Sequence, residues 1–116
     1  MNPFDYSLCD QTVTLYRKAG GEIIRKVVTG ALSVRTAAPT EFYGKSLEKT
    51  FRLIIPGDFP IYPGDRIFAG VGPANVDWQG FLPATVPEVF EVSFAKPCYW
   101  DGDVVHWEAG NRKEQV

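Results

Sequence analysis

The side chains that most often do chemistry are scarce in this sequence: one histidine, His106, and two cysteines, Cys9 and Cys98. The cysteines lie far apart, with no second thiol at the spacing of a metal finger. Long apolar runs are missing too. No stretch approaches the roughly 20 residues that a membrane-spanning helix needs. The segment Met1 to Asp5 has neither a basic cluster nor an apolar stretch, so no signal peptide is expected. Charge of one sign is absent as well: the net charge of −2 gives no broad nucleic-acid or membrane footprint. In an intracellular setting both thiols are expected to stay reduced. Whether Cys9 and Cys98 ever pair is left open by their positions.

What is present reads as one globular domain. The 116 residues are 45% hydrophobic and 14% aromatic, a balance that excludes general disorder. A chain of this length hides about two-thirds of its unfolded surface, enough to form a core without staples. The expected organisation is a single domain over 1–116, with frayed ends at about 1–9 and 111–116 and long loops at 36–50 and 72–87. Charge is uneven along it. Eight Lys/Arg against five Asp/Glu up to Arg52 give +3, and four against nine from Leu53 onward give −5. Such polarity suits head-to-tail contacts between copies, although uneven scatter over strand outer faces gives the same count.

Period-two alternation recurs. Over Thr12 to Tyr16 it turns Val13 and Leu15 one way and Thr12, Thr14 and Tyr16 the other. Ala19-Gly20-Gly21 offers the positive-φ positions of a tight turn before a second run, Glu22 to Val28. Gly30 punctuates, and Ala31 to Val34 is read as a third strand. Residues 36–50 break the pattern with Pro39 and Gly44 around Phe42 and Tyr43. Alternation returns in Thr50 to Ile55, with Phe51, Leu53 and Ile55 inward. A Pro63-Gly64-Asp65 turn precedes a strand at Arg66 to Val71. Residues 72–87 form an irregular excursion whose Val76, Trp78, Phe81 and Leu82 are expected to cover the end of the core. Val89 to Phe94 alternates again, and Tyr99 to Trp107 is a hairpin with Asp101-Gly102 at its tip. Six or seven short strands and no 3.6-residue period predict an all-β fold, a small antiparallel β-barrel or barrel-like sandwich. Val13, Leu15, Leu53, Ile55, Ile67 and Val92 are its expected core.

Few side chains are placed for chemistry. His106 and Glu108 share a strand face as a base and its orienter would, but no serine or cysteine is placed by sequence to receive the proton. His106, Cys98, Asp101 and Asp103 lack metal-ligand spacing. Asp flanking a hairpin glycine is turn chemistry. Gly70-Val71-Gly72-Pro73 opens no helix and is no phosphate loop. No enzyme activity, cofactor or metal is expected.

The order of elements carries a resemblance. The strand from Thr12 to Lys18 with its Gly turn is followed by a second strand ending in Thr29-Gly30. Leu53-Ile54-Ile55-Pro56, Tyr62-Pro63-Gly64-Asp65-Arg66-Ile67 and Gly70 come next, and Tyr99 to Gly110 closes the series. Over about residues 10 to 111 this resembles the small minor capsid proteins of tailed bacteriophages and prophages, of the head-closure or stopper type. The resemblance implies a β-barrel subunit of a ring below the portal and its adaptor, in the virion at the head–tail interface and in the host cytoplasm during assembly. Such a ring closes the DNA exit channel and docks the tail. Its partners would be portal and adaptor proteins, tail proteins and further copies of itself, with steric contact to packaged DNA and no membrane. The family has no catalytic residues to carry over. A long loop between barrel strands faces the lumen in stoppers, and 36–50 is the positional match, which makes Glu41, Phe42, Tyr43, Lys45 and Lys49 the expected gate. The long insertion at 72–87 departs from the shortest stoppers. Two other readings are a different neck protein such as a tail terminator, which would bring helices, and a small ligand- or oligonucleotide-binding barrel, which would want a basic, aromatic groove.

Overall fold

The computed structural model describes residues 4–37 and 48–111. Seven antiparallel strands form a curled half-barrel: β1 (Gln11–Ala19), β2 (Glu22–Ala37), β3 (Glu48–Pro56), β4 (Arg66–Ala69), β5 (Val89–Glu91), β6 (Phe94–Trp100) and β7 (Asp103–Gly110). Their order across the sheet is β5-β4-β1-β2-β3-β7-β6, and no helix occurs among the described residues. The all-β expectation holds. Both hairpin turns are where the sequence places them. Gly20-Gly21 (φ 59° and 83°) joins β1 to β2, and Asp101-Gly102 (φ 53° and 85°) joins β6 to β7. Two successive positive-φ residues match the twist of the flanking strands.

Curling comes from two places where the chain changes partner. The second and third expected strands are in fact one 16-residue strand, β2. Gly30 does not end it. Residues up to Gly30 pair with β1, and from Ala31 onward the strand pairs with β3. Gly30 is buried, with no side chain to keep the bend and β3 apart. On the other side, the expected strand 89–94 splits into β5, paired with β4, and β6, paired with β7. Only Val92 and Ser93 separate them, and their amides bond to Asp65 O and Gly110 O. The two edges of the sheet are therefore consecutive in sequence. A bend between sheets is how such corners are made.

The concave side holds the expected core: Val13, Leu15, Leu53, Ile55, Ile67 and Val92 are all buried, with Phe51, Ile61, Phe90 and Ala109. The outer face of β1 departs from expectation. Thr14 and Tyr16 are as buried as their inward neighbours. The excursion 72–87 lies across them rather than over the end of the core, and packs Phe81, Val76 and Trp78 against Tyr16, Phe68 and Val89. Polar contacts pin it there. Thr14 donates to Gly70 O at 2.7 Å and accepts from Gly72 N, while Tyr16 donates to Pro73 O at 2.6 Å. Arg25 reaches Gly72 O and Pro73 O, and Arg66 donates to Trp78 O with its guanidinium stacked on the Trp78 ring.

Three further corrections concern boundaries. The strand at 66–71 ends at Ala69, where the chain turns into the excursion at Gly70. The interruption expected over 36–50 is shorter, because Thr36, Ala37 and Glu48 to Thr50 belong to strands. Of the N-terminal stretch, expected to fray over 1–9, Phe4 and Tyr6 pack against His106 of β7.

Candidate functional site

Two regions merit a functional reading: the arm formed by the ends of β2 and β3, and the side-chain cluster around His106.

The arm follows from pairing. Arg35, Thr36 and Ala37 stand opposite Thr50, Lys49 and Glu48. The other neighbour of β3, β7, begins only at Arg52. Residues 35–37 and 48–50 thus form a two-stranded ladder beyond the body of the half-barrel, and Ala37 and Glu48 end it as direct partners. Of the expected gate residues, Lys49 sits in this ladder opposite Thr36. Glu41, Phe42, Tyr43 and Lys45 lie outside the described residues.

The cluster arises from strand register. Along β7 the residues Trp107 and Ala109 face the core, so His106 and Glu108 share the opposite face. On β6, Cys98 is the direct partner of His106, next to an irregularity in register at Cys98/Tyr99. Phe4 and Tyr6 close over the imidazole, with Phe4 edge-on at 4.9 Å between centroids. His106 is only 2% exposed, and both ring nitrogens have partners. Nδ1 is 2.7 Å from the Tyr6 hydroxyl, and Nε2 is 3.0 Å from Glu108 Oε2. The same hydroxyl is 3.2 Å from Val105 O. The sulfur of Cys98, one nitrogen of His106 and one carboxylate oxygen of Glu108 all lie within 4.8 Å of one another.

This arrangement does not make a nucleophilic pair. A thiolate–imidazolium couple needs a ring nitrogen directed at sulfur, and here Tyr6 and Glu108 hold both. The sequence showed that His106 and Glu108 share a face. It did not show that Cys98 is opposite His106, since that depends on a register counted from the Asp101-Gly102 turn through an irregularity. Asp101, in the turn, and Asp103, at the start of β7, are exposed and take no part in the cluster. Tyr6 was missed altogether, because no periodic signal ties residue 6 to residue 106.

Cys9 and Cys98 are both free thiols. Burial, then the charges of Asp10 and Asp5, push the Cys9 thiol above its ordinary value. Near the Pro63-Gly64 turn, Arg17 holds the buried Asp65 through two bonds of 2.9 and 2.7 Å, and those bonds raise the guanidinium above its usual range. The excursion carries an open groove of about 360 Å³ beside Phe68, Phe81 and Val86, with Asn75 and Asp77 at its rim. Compared with known families, curated proteins and solved structures, the chain matches none of them.

Proposed function

We propose that this chain is a structural subunit of the neck of a tailed phage or prophage virion, of the head-closure type. It joins a ring below the portal and adaptor, blocks the DNA exit channel and offers a surface to the tail. The observation that carries this reading is the β2–β3 arm. A rigid half-barrel holds the two ends of segment 38–47 side by side at Ala37 and Glu48, on strands that reach past the body of the fold. A gate needs a base that fixes both ends of its segment. The other long excursion is tied to the sheet by Thr14, Tyr16, Arg25 and Arg66, which suits a wall better than a gate.

Exposed apolar side chains support an assembly role. Ile23 and Val27 lie on the outer face of β2, and Tyr99 and Trp100 lie by the β6–β7 turn. Separate patches on one subunit suit a heterologous, ring-forming contact. The test is reconstitution. Purified chain added to portal–adaptor complexes of the same virion should appear in electron-microscopic class averages as an added ring. Complexes that stay unchanged at saturating chain would overturn the assignment.

A further inference from the structure

The His106 cluster lies on the β6–β7 hairpin, apart from the β2–β3 arm, and its composition has a chemistry of its own. Three donors of three kinds converge on one face of the β6–β7 hairpin: thiol sulfur from Cys98, imidazole nitrogen from His106 and carboxylate oxygen from Glu108, all within 4.8 Å. Neighbouring paired strands fix all three, so the cluster is held by backbone ladders rather than by a loose loop. The geometry points to a zinc site, with Cys98 Sγ, His106 Nε2 and Glu108 as ligands and water as the fourth.

Distances support the fit. Zinc bonds of about 2.3 Å to sulfur and about 2.0–2.2 Å to nitrogen and oxygen place tetrahedral donors roughly 3.4–3.6 Å apart. The Nε2–Oε2 distance of 3.0 Å therefore opens slightly, and the sulfur closes by side-chain rotation. A set of S, N and O donors favours zinc over the hard oxygen-seeking cations.

Tyr6 supplies what a ligating imidazole requires. A histidine that binds metal through one nitrogen fixes its orientation by donating from the other. With metal on Nε2, the Nδ1 proton would go to the Tyr6 oxygen, 2.7 Å away, and the Tyr6 hydroxyl proton to Val105 O at 3.2 Å. In that tautomer Nε2 is free to bind a cation beside Glu108 Oε2, in place of the hydrogen bond of 3.0 Å that joins the two in the metal-free chain. Charge balances: the Cys98 thiol releases one proton to solvent, and thiolate plus carboxylate neutralise Zn²⁺. The ion enters beside Glu108, whose side chain is 23% exposed, because Phe4 and Tyr6 cover the other flank. The site clips the N-terminal segment to the last hairpin.

The experiment uses untagged full-length chain with reduced thiols, titrated with Co²⁺ as a spectroscopic stand-in and then with Zn²⁺. One equivalent of Co²⁺ should produce thiolate-to-metal absorption and tetrahedral visible bands, both displaced by Zn²⁺, and Zn²⁺ should raise the unfolding temperature. Cys98→Ser should abolish the charge-transfer band and the thermal shift, whereas Cys9→Ser should leave both. Tyr6→Phe should weaken Zn²⁺ binding about 10–100-fold with the band retained. Glu108→Gln, less disruptive than a change at the buried His106, should also weaken it. Absence of the charge-transfer band in the native chain, or equal Zn²⁺ affinity in native and Cys98→Ser proteins, would overturn the assignment.

Discussion

A β-carbon placed on Gly30 would stand 2.6 Å from the carbonyl oxygen of Ile54, closer than real contacts allow. The clash is with backbone, so no side-chain rotation relieves it. The bend in β2 and the approach of β3 therefore depend on each other at this residue. Gly30→Ala should destabilise the fold by about 1–3 kcal/mol, the usual range for overpacking. A urea midpoint that falls at unchanged slope checks this. An unchanged midpoint would show that the strand bends elsewhere.

The concave core and the outer face of β1 should respond differently to substitution. Leu53 backs the concave core, and Leu53→Ala should cost about 2–5 kcal/mol. Tyr16 holds the excursion on the outer face, and Tyr16→Phe removes one hydrogen bond to Pro73 O, a carbonyl that Arg25 also reaches. Its cost should be about 0.5–1.5 kcal/mol. Hydrogen exchange should rise in the excursion of the tyrosine variant and globally in the leucine variant.

Asp65 is the polar anchor of the Pro63-Gly64 turn. It accepts two bonds from Arg17 and one from Tyr62 N at 2.9 Å, and is 3% exposed. Asp65→Asn keeps the shape but presents an N–H where the guanidinium needs an acceptor. A loss of about 1.5–3 kcal/mol follows from the charge-assisted character of the bonds. Chemical denaturation of the variant measures it, and a loss below 0.5 kcal/mol, the scale of a neutral surface change, would contradict it.

Cys9 gives a pH-dependent readout. Its thiol is raised in the folded chain, chiefly by burial, so folding favours the neutral thiol over the thiolate. This contribution to stability is complete below the unfolded thiol pKa and is lost as pH rises through the higher folded value. In a Cys98→Ser background, alkylation of Cys9 should lag that of the unfolded chain and catch up only at more alkaline pH. Equal rates in both states would contradict the shift.

The sequence revealed strand identity wherever turn chemistry and alternation agreed, as at Gly20-Gly21 and Asp101-Gly102. It misplaced breaks where one residue acts through tertiary contact. Gly30 reads as a terminator locally, yet it is a bend that only the position of Ile54 explains. Val92 and Ser93 divide β5 from β6 because the strand changes partner there, and alternation continues through such a point. Tyr16 looks like a solvent-side residue until the excursion arrives from more than 50 positions away. The same limit hid Tyr6 and Cys98 from His106, since register and chain return bring them together. The gate residues other than Lys49 keep only their sequence argument.

Retention of packaged DNA is the most direct measure of the proposed role. Replacing residues 39–46 with a short glycine linker should leave the half-barrel folded, because closure entropy changes slowly with length and Ala37 remains paired with Glu48. Binding to the adaptor should also persist. Heads assembled with the shortened chain should package DNA and then lose it, seen as nuclease-sensitive genomes and empty capsids. Heads that keep their DNA as well as the native ones, with the variant in place, would contradict the gate and the function built on it.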